Sequence, residues 1–502
     1  MAFYEIVLVA SLALWAIYKW LTIHNDEFKK RNIPYEKPYP AVGNFGKVVM
    51  NKESVHKTVL EFYKRNKTHK IVGFFNFRNP VYFINEPEMI KKICIKDFDN
   101  FPNHTPFINV DGDPLLAGML SIMKDQRWKD MRNTLTPVFT AAKMRNMFPL
   151  MNECFSECIK NLKMQLPNGS CELELKKIMS KLSNDIIAST AFGININSHK
   201  DPNNKFYNIG QTVTNLRGTQ MLKVMISNVA PWILKGLGIK VFDQEKTDYF
   251  IRLVVDAMKY REKNNIVRHD MIQQLLEAKK ESAQHWSDEE IVAQCFVFFF
   301  AAFENNTNLI CAASHELMSY PDVQQRLYEE CLEIKKELQD QPFNYDTGNK
   351  MKYMDMVINE TLRKWSFAPL TDRVCSKDYK LTDEDNNLVF EFKVGDRVWF
   401  PISGLHMDEQ HFENPEEFIP ERFSDDNKGN IKPFTYIPFG AGPRNCIGNR
   451  YALMQAKAML YYLVINCKLE RSENTVKDIF NDMRGFNTSP IGGFWMHFVS
   501  RN

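Results

Sequence analysis

Residues Phe439–Arg450 read FGAGPRNCIGNR. Glycines at 440, 442 and 448, a proline, two arginines and one cysteine share these twelve positions. Glycine permits left-handed turns and close approach of the backbone to a neighbour. The run that follows, IGNRYALMQAKAMLYYLVI (Ile447–Ile465), reads as a helix. Cys446 therefore stands at a loop-to-helix junction, where loop amides and the helix's partial positive end can compensate a thiolate. Taken alone, the stretch leaves three readings of Cys446: a small buried hydrophobe, a nucleophile, or a metal ligand.

Composition narrows the field. With 44% hydrophobic and 25% charged residues among 502, the chain is long and apolar enough for a well-cored fold. Lys plus Arg number 64 against 61 for Asp plus Glu, a near balance that argues against a nucleic-acid partner. The ten cysteines contain no CxxC pair, and Cys154/Cys158 lack the second Cys/His pair a zinc site needs. A cysteine hydrolase is disfavoured because no His/Asp pattern accompanies Cys446.

The N-terminal run IVLVASLALWAIY (Ile6–Tyr18) is apolar throughout, with Lys19 able to snorkel and Trp20 and Leu21 extending it. Positive charges follow the run (Lys19, Lys29, Lys30, Arg31) and Glu5 precedes it, the reverse of a cleaved signal. The expectation is an uncleaved anchor over residues 1–22 with the remainder on the cytosolic side. Pro34, Pro38 and Pro40 predict a stiff linker over residues 23–46. A catalytic body is then expected over residues 47–502.

Within that body helical patterns dominate, with small sheets at one side. KIVGFFNF (Lys70–Phe77) and PVYFIN (Pro80–Asn85) read as a hairpin turning at Arg78–Asn79, and Lys380–Pro401 carries further strand and turn signals. The clearest helix begins at Ser287, with Glu290 completing a capping box, and runs to Tyr320 before Pro321. Its middle, CFVFFFAAF (Cys295–Phe303), is apolar all round and is expected to be buried on every side. Polar residues at its centre suit either a helix that lines a site or an ordinary core helix. Glu360 and Arg363 lie three apart on one helical face, and Arg422 in PEEFIPERF can join them in a buried network.

These pieces together resemble the cytochrome P450 family. Phe439, Gly442, Arg444, Cys446 and Gly448 match its F-x-x-G-x-R-x-C-x-G signature. Glu360 and Arg363 match its E-x-x-R, Pro420–Phe423 its P-E-R-F, and Trp128–Arg132 its W-x-x-x-R. The anchor and proline segment match its microsomal members, and WKDMRNTLTPVFTAAKMR looks most like the insect detoxication group. The resemblance implies a mainly α fold with small β-sheets (α+β), holding haem b between the long central helix and the cysteine loop. It also implies a monooxygenase of the endoplasmic reticulum membrane, using O2 and electrons from NADPH.

Residue by residue, the resemblance makes Cys446 the thiolate ligand to haem iron. It sets Trp128, Arg132, Arg373 and Arg444 near the propionates, with Phe439 and Gly440 beside the cofactor. Arginine suits carboxylates through its permanent charge and fork geometry. His406 stands near a family position but reads as a core histidine. The family pattern small-Gly-x-acid-Thr becomes AAFENN here (Ala301–Asn306): Ala302 replaces the glycine, Glu304 keeps the acid, and Asn305 replaces the threonine that helps deliver protons. Thr307 cannot substitute, since it lies about 200° round the helix from Asn305. Glu304 and Asn305 are accordingly the expected catalytic residues beside Cys446. Two alternatives stay open: a haem-thiolate isomerase or dehydratase needing no dioxygen activation, and a non-catalytic haem protein.

No G-x-G-x-x-G follows a strand, so electrons must come from a partner. The resemblance implies NADPH–cytochrome P450 reductase, with cytochrome b5 as a second candidate, docking near Arg127, Lys129, Lys428 and Lys432. The substrate cavity is expected to be walled by Phe107, Ile108, Leu116, Phe298, Phe299, Ala301, Ala302, Phe367, Leu370 and Phe494, with at most one of the adjacent Phe298 and Phe299 facing it. Such a greasy site suits a small lipophilic substrate. The amphipathic segment Leu216–Gly238 is apolar enough to touch the bilayer.

Overall fold

The structure, a computed structural model, describes residues 2–106, 113–214, 218–282, 284–339, 341–383 and 385–501. The expected pocket residues Phe107 and Ile108, and Leu216 at the start of the amphipathic segment, lie outside the described residues.

Seven helices matter for the site: α1 (Ala2–Leu21), α2 (Asp125–Leu135), α3 (Leu175–Ala191), α4 (Met271–Glu281), α5 (Asp288–Ser319), α6 (Lys352–Lys364) and α7 (Asn449–Asn466). Helix α5 starts as its sequence demands. Ser287 Oγ accepts from the Glu290 N–H at 3.2 Å, and the Glu290 carboxylate accepts from the Ser287 N–H at 3.1 Å. Its 32 residues span about 48 Å. It packs against α3, α6 and α7, and Phe296, Phe299 and Phe303 are buried, with Phe242 and Phe250 against Phe296 and Phe192, Phe206 and Phe250 around Phe299. Burial is not complete on every side as expected: Val297, Phe298, Ala301, Ala302 and Asn305 face a cavity. An apolar stretch can line an apolar cavity as well as a solid core, and composition alone does not distinguish the two.

Among the described residues the strands are β1 (Ile71–Asn76), β2 (Asn79–Ile84), β3 (Ser170–Glu174), β4 (Thr371–Val374), β5 (Tyr379–Thr382), β6 (Leu388–Phe392), β7 (Arg397–Phe400), β8 (Cys467–Glu470) and β9 (Trp495–Ser500). They form sheets ordered β1-β2-β7-β4, β3-β9-β8 and β5-β6. The β1–β2 hairpin turns at Phe77–Arg78, one residue earlier than expected. Asn76 pairs with Asn79, and Phe77 takes φ +55°.

Helix α1 is exposed along its apolar length, and Phe3–Leu21 is long and apolar enough to cross a membrane. The segment expected as a stiff linker over residues 23–46 packs on the body. Phe28 is wholly buried against Tyr35, Phe75 and Tyr82, and Tyr35 and Gly43 bridge to Gly73 and Asn76. Aromatic side chains before and between the prolines, Phe28 and Tyr35, cover the sheet. Arg78 ties the end of α1 to this body. It donates to the Trp20 carbonyl at 2.7 Å and the Val229 carbonyl at 3.1 Å, with its guanidinium 3.6 Å from the Trp20 ring centre.

Candidate active site

The cysteine loop is shaped by its glycines. Gly442 sits at φ +72°, and a Cβ there would come within 2.0 Å of the Cys94 carbonyl oxygen, so only glycine fits. Gly440, at φ +74°, turns the chain back so that the Cys446 N–H donates to the Phe439 carbonyl at 2.8 Å. Cys446 then opens onto a cavity of about 390 Å³ enclosed between this loop and α5. Burial among protein atoms raises its thiol pKa, opposed by the Gly448 N–H and by the charge of Arg132.

One wall of the cavity is cationic. Arg132 sets its fork on Asn445, donating to the carbonyl and to Oδ1, both at 2.8 Å. Arg444 donates from Nε to the Pro102 carbonyl at 2.7 Å and from Nη2 to the Met123 carbonyl at 2.9 Å, and lies 3.8 Å from the Trp128 ring centre. Burial, reinforced by Arg373 and Arg132, pushes its pKa down to about 9. Arg373 is wholly buried; Nη2 donates to the Ala441 carbonyl at 2.7 Å and Nη1 to the Asp372 carbonyl at 2.6 Å. Its Nε has no hydrogen-bond partner among the described residues.

The carboxylate closest to this group, Asp372, is already engaged. It accepts from His104 Nδ1 at 2.7 Å and from the Thr105 N–H at 2.5 Å. Burial works against its charge, but His104, Thr105 and Arg373 overcome that and hold it below the usual carboxylate range. Two buried guanidiniums (Arg373 and Arg444) and the half-buried one of Arg132, with an orphaned N–H on Arg373, suit a ligand that brings anionic groups of its own. The remaining walls are apolar, and a sulfur donor stands on the floor. This donor set fits haem, whose ring is flat and apolar and whose propionates are carboxylates.

Most of the expected residues converge on this cavity: Cys446, Trp128, Arg132, Arg444, Phe439, Gly440, Asn305, Phe298, Ala301, Ala302, Phe367 and Leu370 all line it. Others do not. Phe299 points into the core, ringed by Phe192, Phe206, Phe250 and Phe303, because a one-residue step turns it away from the face Phe298 occupies. Leu116 and Phe494 are buried and do not line the cavity. Arg373 lies behind Ala441 rather than on the surface of the cavity. Glu304, expected among the catalytic residues, is on the flank of α5. Its carboxylate pairs with Lys176 Nζ at 3.0 Å and does not reach the cavity.

Asn305 does face the cavity, but its Nδ2 donates back to the Ala301 carbonyl at 2.8 Å. Thr307 is buried on the far side, bonded to the Phe303 carbonyl at 2.8 Å. His406 is a core residue, its Nε2 accepting from the Ile437 N–H at 2.9 Å and its Nδ1 lying 2.8 Å from Ser366 Oγ. The lining also includes His104, Leu120, Ser121, Val297, Ile402 and Tyr451, which sequence reasoning missed. Val297 follows from helical spacing to Ala301. The others arrive from separate loops and helices and carry no motif.

Behind the site, Glu360 and Arg363 form a wholly buried fork at 2.7 Å on both arms, and Arg422 Nε lies 3.4 Å from Glu360 Oε1. Arg363 also donates to the carbonyls of His406, Pro415 and Glu417. The Ile419 N–H donates to Glu360 at 2.9 Å, so the network fastens the segment after residue 414 to α6.

The sequence model of the family described as Cytochrome P450 matches residues 33–495. The chain belongs to the cytochrome P450 family. It is 56% identical to cytochrome P450 9b2 and 52% identical to cytochrome P450 9b1, both of Drosophila melanogaster, in each case over 100% of both chains. It is 39% identical to cytochrome P450 9e2 of Blattella germanica, over 99% of this chain and 96% of the relative. As a cytochrome P450 the protein is a haem-thiolate monooxygenase with the α+β fold of its family. Its cofactor is haem b, with NADPH and O2 as co-substrates through a reductase.

Proposed function

We propose that this cytochrome P450 is anchored in the endoplasmic reticulum membrane by α1 and inserts one oxygen atom into small lipophilic molecules, xenobiotics or endogenous lipids and hormones. One observation carries the reading. The sulfur of Cys446 faces, across an apolar cavity with a cationic wall, the α5 face formed by Ala301, Ala302 and Asn305.

In this reading Cys446 would hold the haem iron and Arg132 and Arg444 with Trp128 the propionates, while Arg373 adds positive charge from behind Ala441. Haem supplies the redox chemistry that activates dioxygen. The protein's part is positioning, exclusion of water and proton supply. Phe298, Phe367, Leu370 and Ile402 present an apolar surface that selects lipophilic substrates and keeps bulk water away. Ala301 and Ala302 leave room against the helix for a flat group and a substrate.

Asn305 has one amide N–H committed to Ala301, leaving the other N–H and Oδ1 to hold a water. An amide does not release a proton as an acid does, so protons must come through water. Glu304, paired with Lys176 on the flank of α5, has no part in this reading's proton supply.

The membrane reading is supported by the exposed apolar length of α1 and by Trp232 and Leu237, which are exposed near the end of α1 that Arg78 clasps. Electrons arrive from NADPH–cytochrome P450 reductase, with cytochrome b5 as a second donor, docking near Arg127, Lys129, Lys428 and Lys432. The deciding experiment is the reduced, carbon-monoxide-bound difference spectrum of wild type and Cys446→Ala. A long-wavelength Soret band in the first only, followed by reductase- and NADPH-dependent product from a lipophilic probe panel, is the expected result. Absence of the band in folded, haem-loaded wild type overturns the cysteine assignment.

A further inference from the structure

A second, polar cleft of about 510 Å³ lies on the opposite side of α2 from Trp128 and Arg132, closed by α4 and by the start of the helix Ala141–Met164. Its floor is Gln274. This side chain is 4% exposed, and neither its Oε1 nor its Nε2 has a hydrogen-bond partner among the described residues. A buried amide with nothing to bond destabilises a fold, so its presence at the bottom of a cleft marks a place where another molecule satisfies it.

The charge of the cleft says what kind. Three carboxylates (Asp130, Glu277, Glu281) face one ammonium, Lys143. Lys143 is neutralised by Glu277 at 2.8 Å, with Gln273 also donating to Glu277 at 3.2 Å. Among the described residues the Asp130 carboxylate accepts only from the neutral amide of Gln126, at 2.8 Å, and Glu281 pairs with no cation. Two negative charges are thus left over beside an amide that must both donate and accept.

We propose that this cleft binds a small polyhydroxylated amine, an amino alcohol or amino sugar. Its ammonium lies against Glu281 and Asp130, and a hydroxyl both donates to and accepts from Gln274. A neutral polyol lacks the charge the rim selects, and a simple alkylamine leaves the Gln274 N–H unanswered. The site is separate from the haem cavity, so occupants of the two do not compete.

The test uses the full-length, haem-loaded protein in detergent, with glucosamine as probe and glucose as its uncharged counterpart. Binding is followed by calorimetry and by ligand-observed saturation-transfer NMR. The expected result is saturable glucosamine binding with Kd on the order of a millimolar, as befits an open site and a small ligand, with glucose binding at least tenfold weaker. Gln274→Leu is expected to lose glucosamine binding at least tenfold while its Tm rises, since an apolar side chain relieves the orphaned amide. Glu281→Gln, a surface change that leaves the fold intact, is expected to erase the preference for glucosamine over glucose. No saturable binding up to 50-fold above a millimolar, unchanged binding in Gln274→Leu, equal binding of glucose to wild type, or displacement by an azole in the haem cavity would each overturn the proposal.

Discussion

Arg363→Leu isolates the buried charge network behind the cysteine loop. The substitution removes both arms of the fork to Glu360 and three hydrogen bonds to the carbonyls of His406, Pro415 and Glu417. Glu360, wholly buried, keeps only Arg422 at 3.4 Å and the Ile419 N–H at 2.9 Å. Breaking a buried pair by removing one partner costs about 3–5 kcal/mol, chiefly because a charge is left uncompensated. For a chain of this length the entropy of unfolding is about 1 kcal/mol per degree, so Tm falls by roughly 3–5 °C. Arg363→Lys retains the charge but loses the fork and most of the carbonyl bonds, and falls in between. Glu360→Leu/Arg363→Leu removes both charges and is expected to cost less than the two single changes summed. Calorimetry of the haem-loaded protein, with the carbon-monoxide-bound Soret amplitude as a check on haem retention, reads all four variants. An Arg363→Leu cost below about 1 kcal/mol, or additivity across the cycle, refutes the argument that uncompensated charge dominates.

Gly442→Ala forces a Cβ against the Cys94 carbonyl at a positive φ, and is expected to abolish stable haem loading, read as the ratio of Soret to protein absorbance. Phe298→Ala removes a ring that meets Phe139 edge-on at 5.3 Å and lines the cavity; stability falls by about 1–3 kcal/mol and bulkier lipophilic probes gain turnover relative to small ones, measured as kcat/KM ratios. Asn305→Thr restores a hydroxyl at the cavity-lining position and is expected to lower the hydrogen peroxide released per NADPH severalfold; an unchanged ratio removes Asn305 from proton supply. Asp185 is buried and its pKa is raised to about 6 by that burial, against the opposing bonds of Ser198 and Asn184. The folded state therefore prefers the protonated acid, so this residue's contribution is favourable below pH 4 and lost as pH rises through 6. Asp185→Asn should flatten that part of the stability curve, by about 3 kcal/mol at most between its ends, in unfolding measured from pH 4 to 7.5.

Much of this protein is readable from local pattern. The capping box at Ser287, the hairpin at residues 71–84, the fork of Glu360 and Arg363, and the glycines around Cys446 are each set by residues a few positions apart. Their physical causes are equally local: backbone caps, strand alternation, helical spacing, and the steric freedom of glycine. The rotation that puts Asn305 toward the cavity and Thr307 away from it follows from 3.6 residues per turn.

What tertiary structure decided is everything that depends on which distant surfaces meet. Glu304 and Asn305 are neighbours in sequence, yet one flanks α5 against Lys176 and the other lines the cavity, because α3 covers one side of the helix only. Phe28 and the prolines after it became part of the body because a sheet assembled from residues 71–84 and 371–400 offered aromatic partners. His104 joined the site because Asp372, 268 positions away, needed a proton donor. Gln274 ended in a cleft because α2 and α4 meet without filling the space between them. Local chemistry determines what each segment can become, while burial and hydrogen-bond satisfaction, settled only across the whole fold, determine which residues face the chemistry.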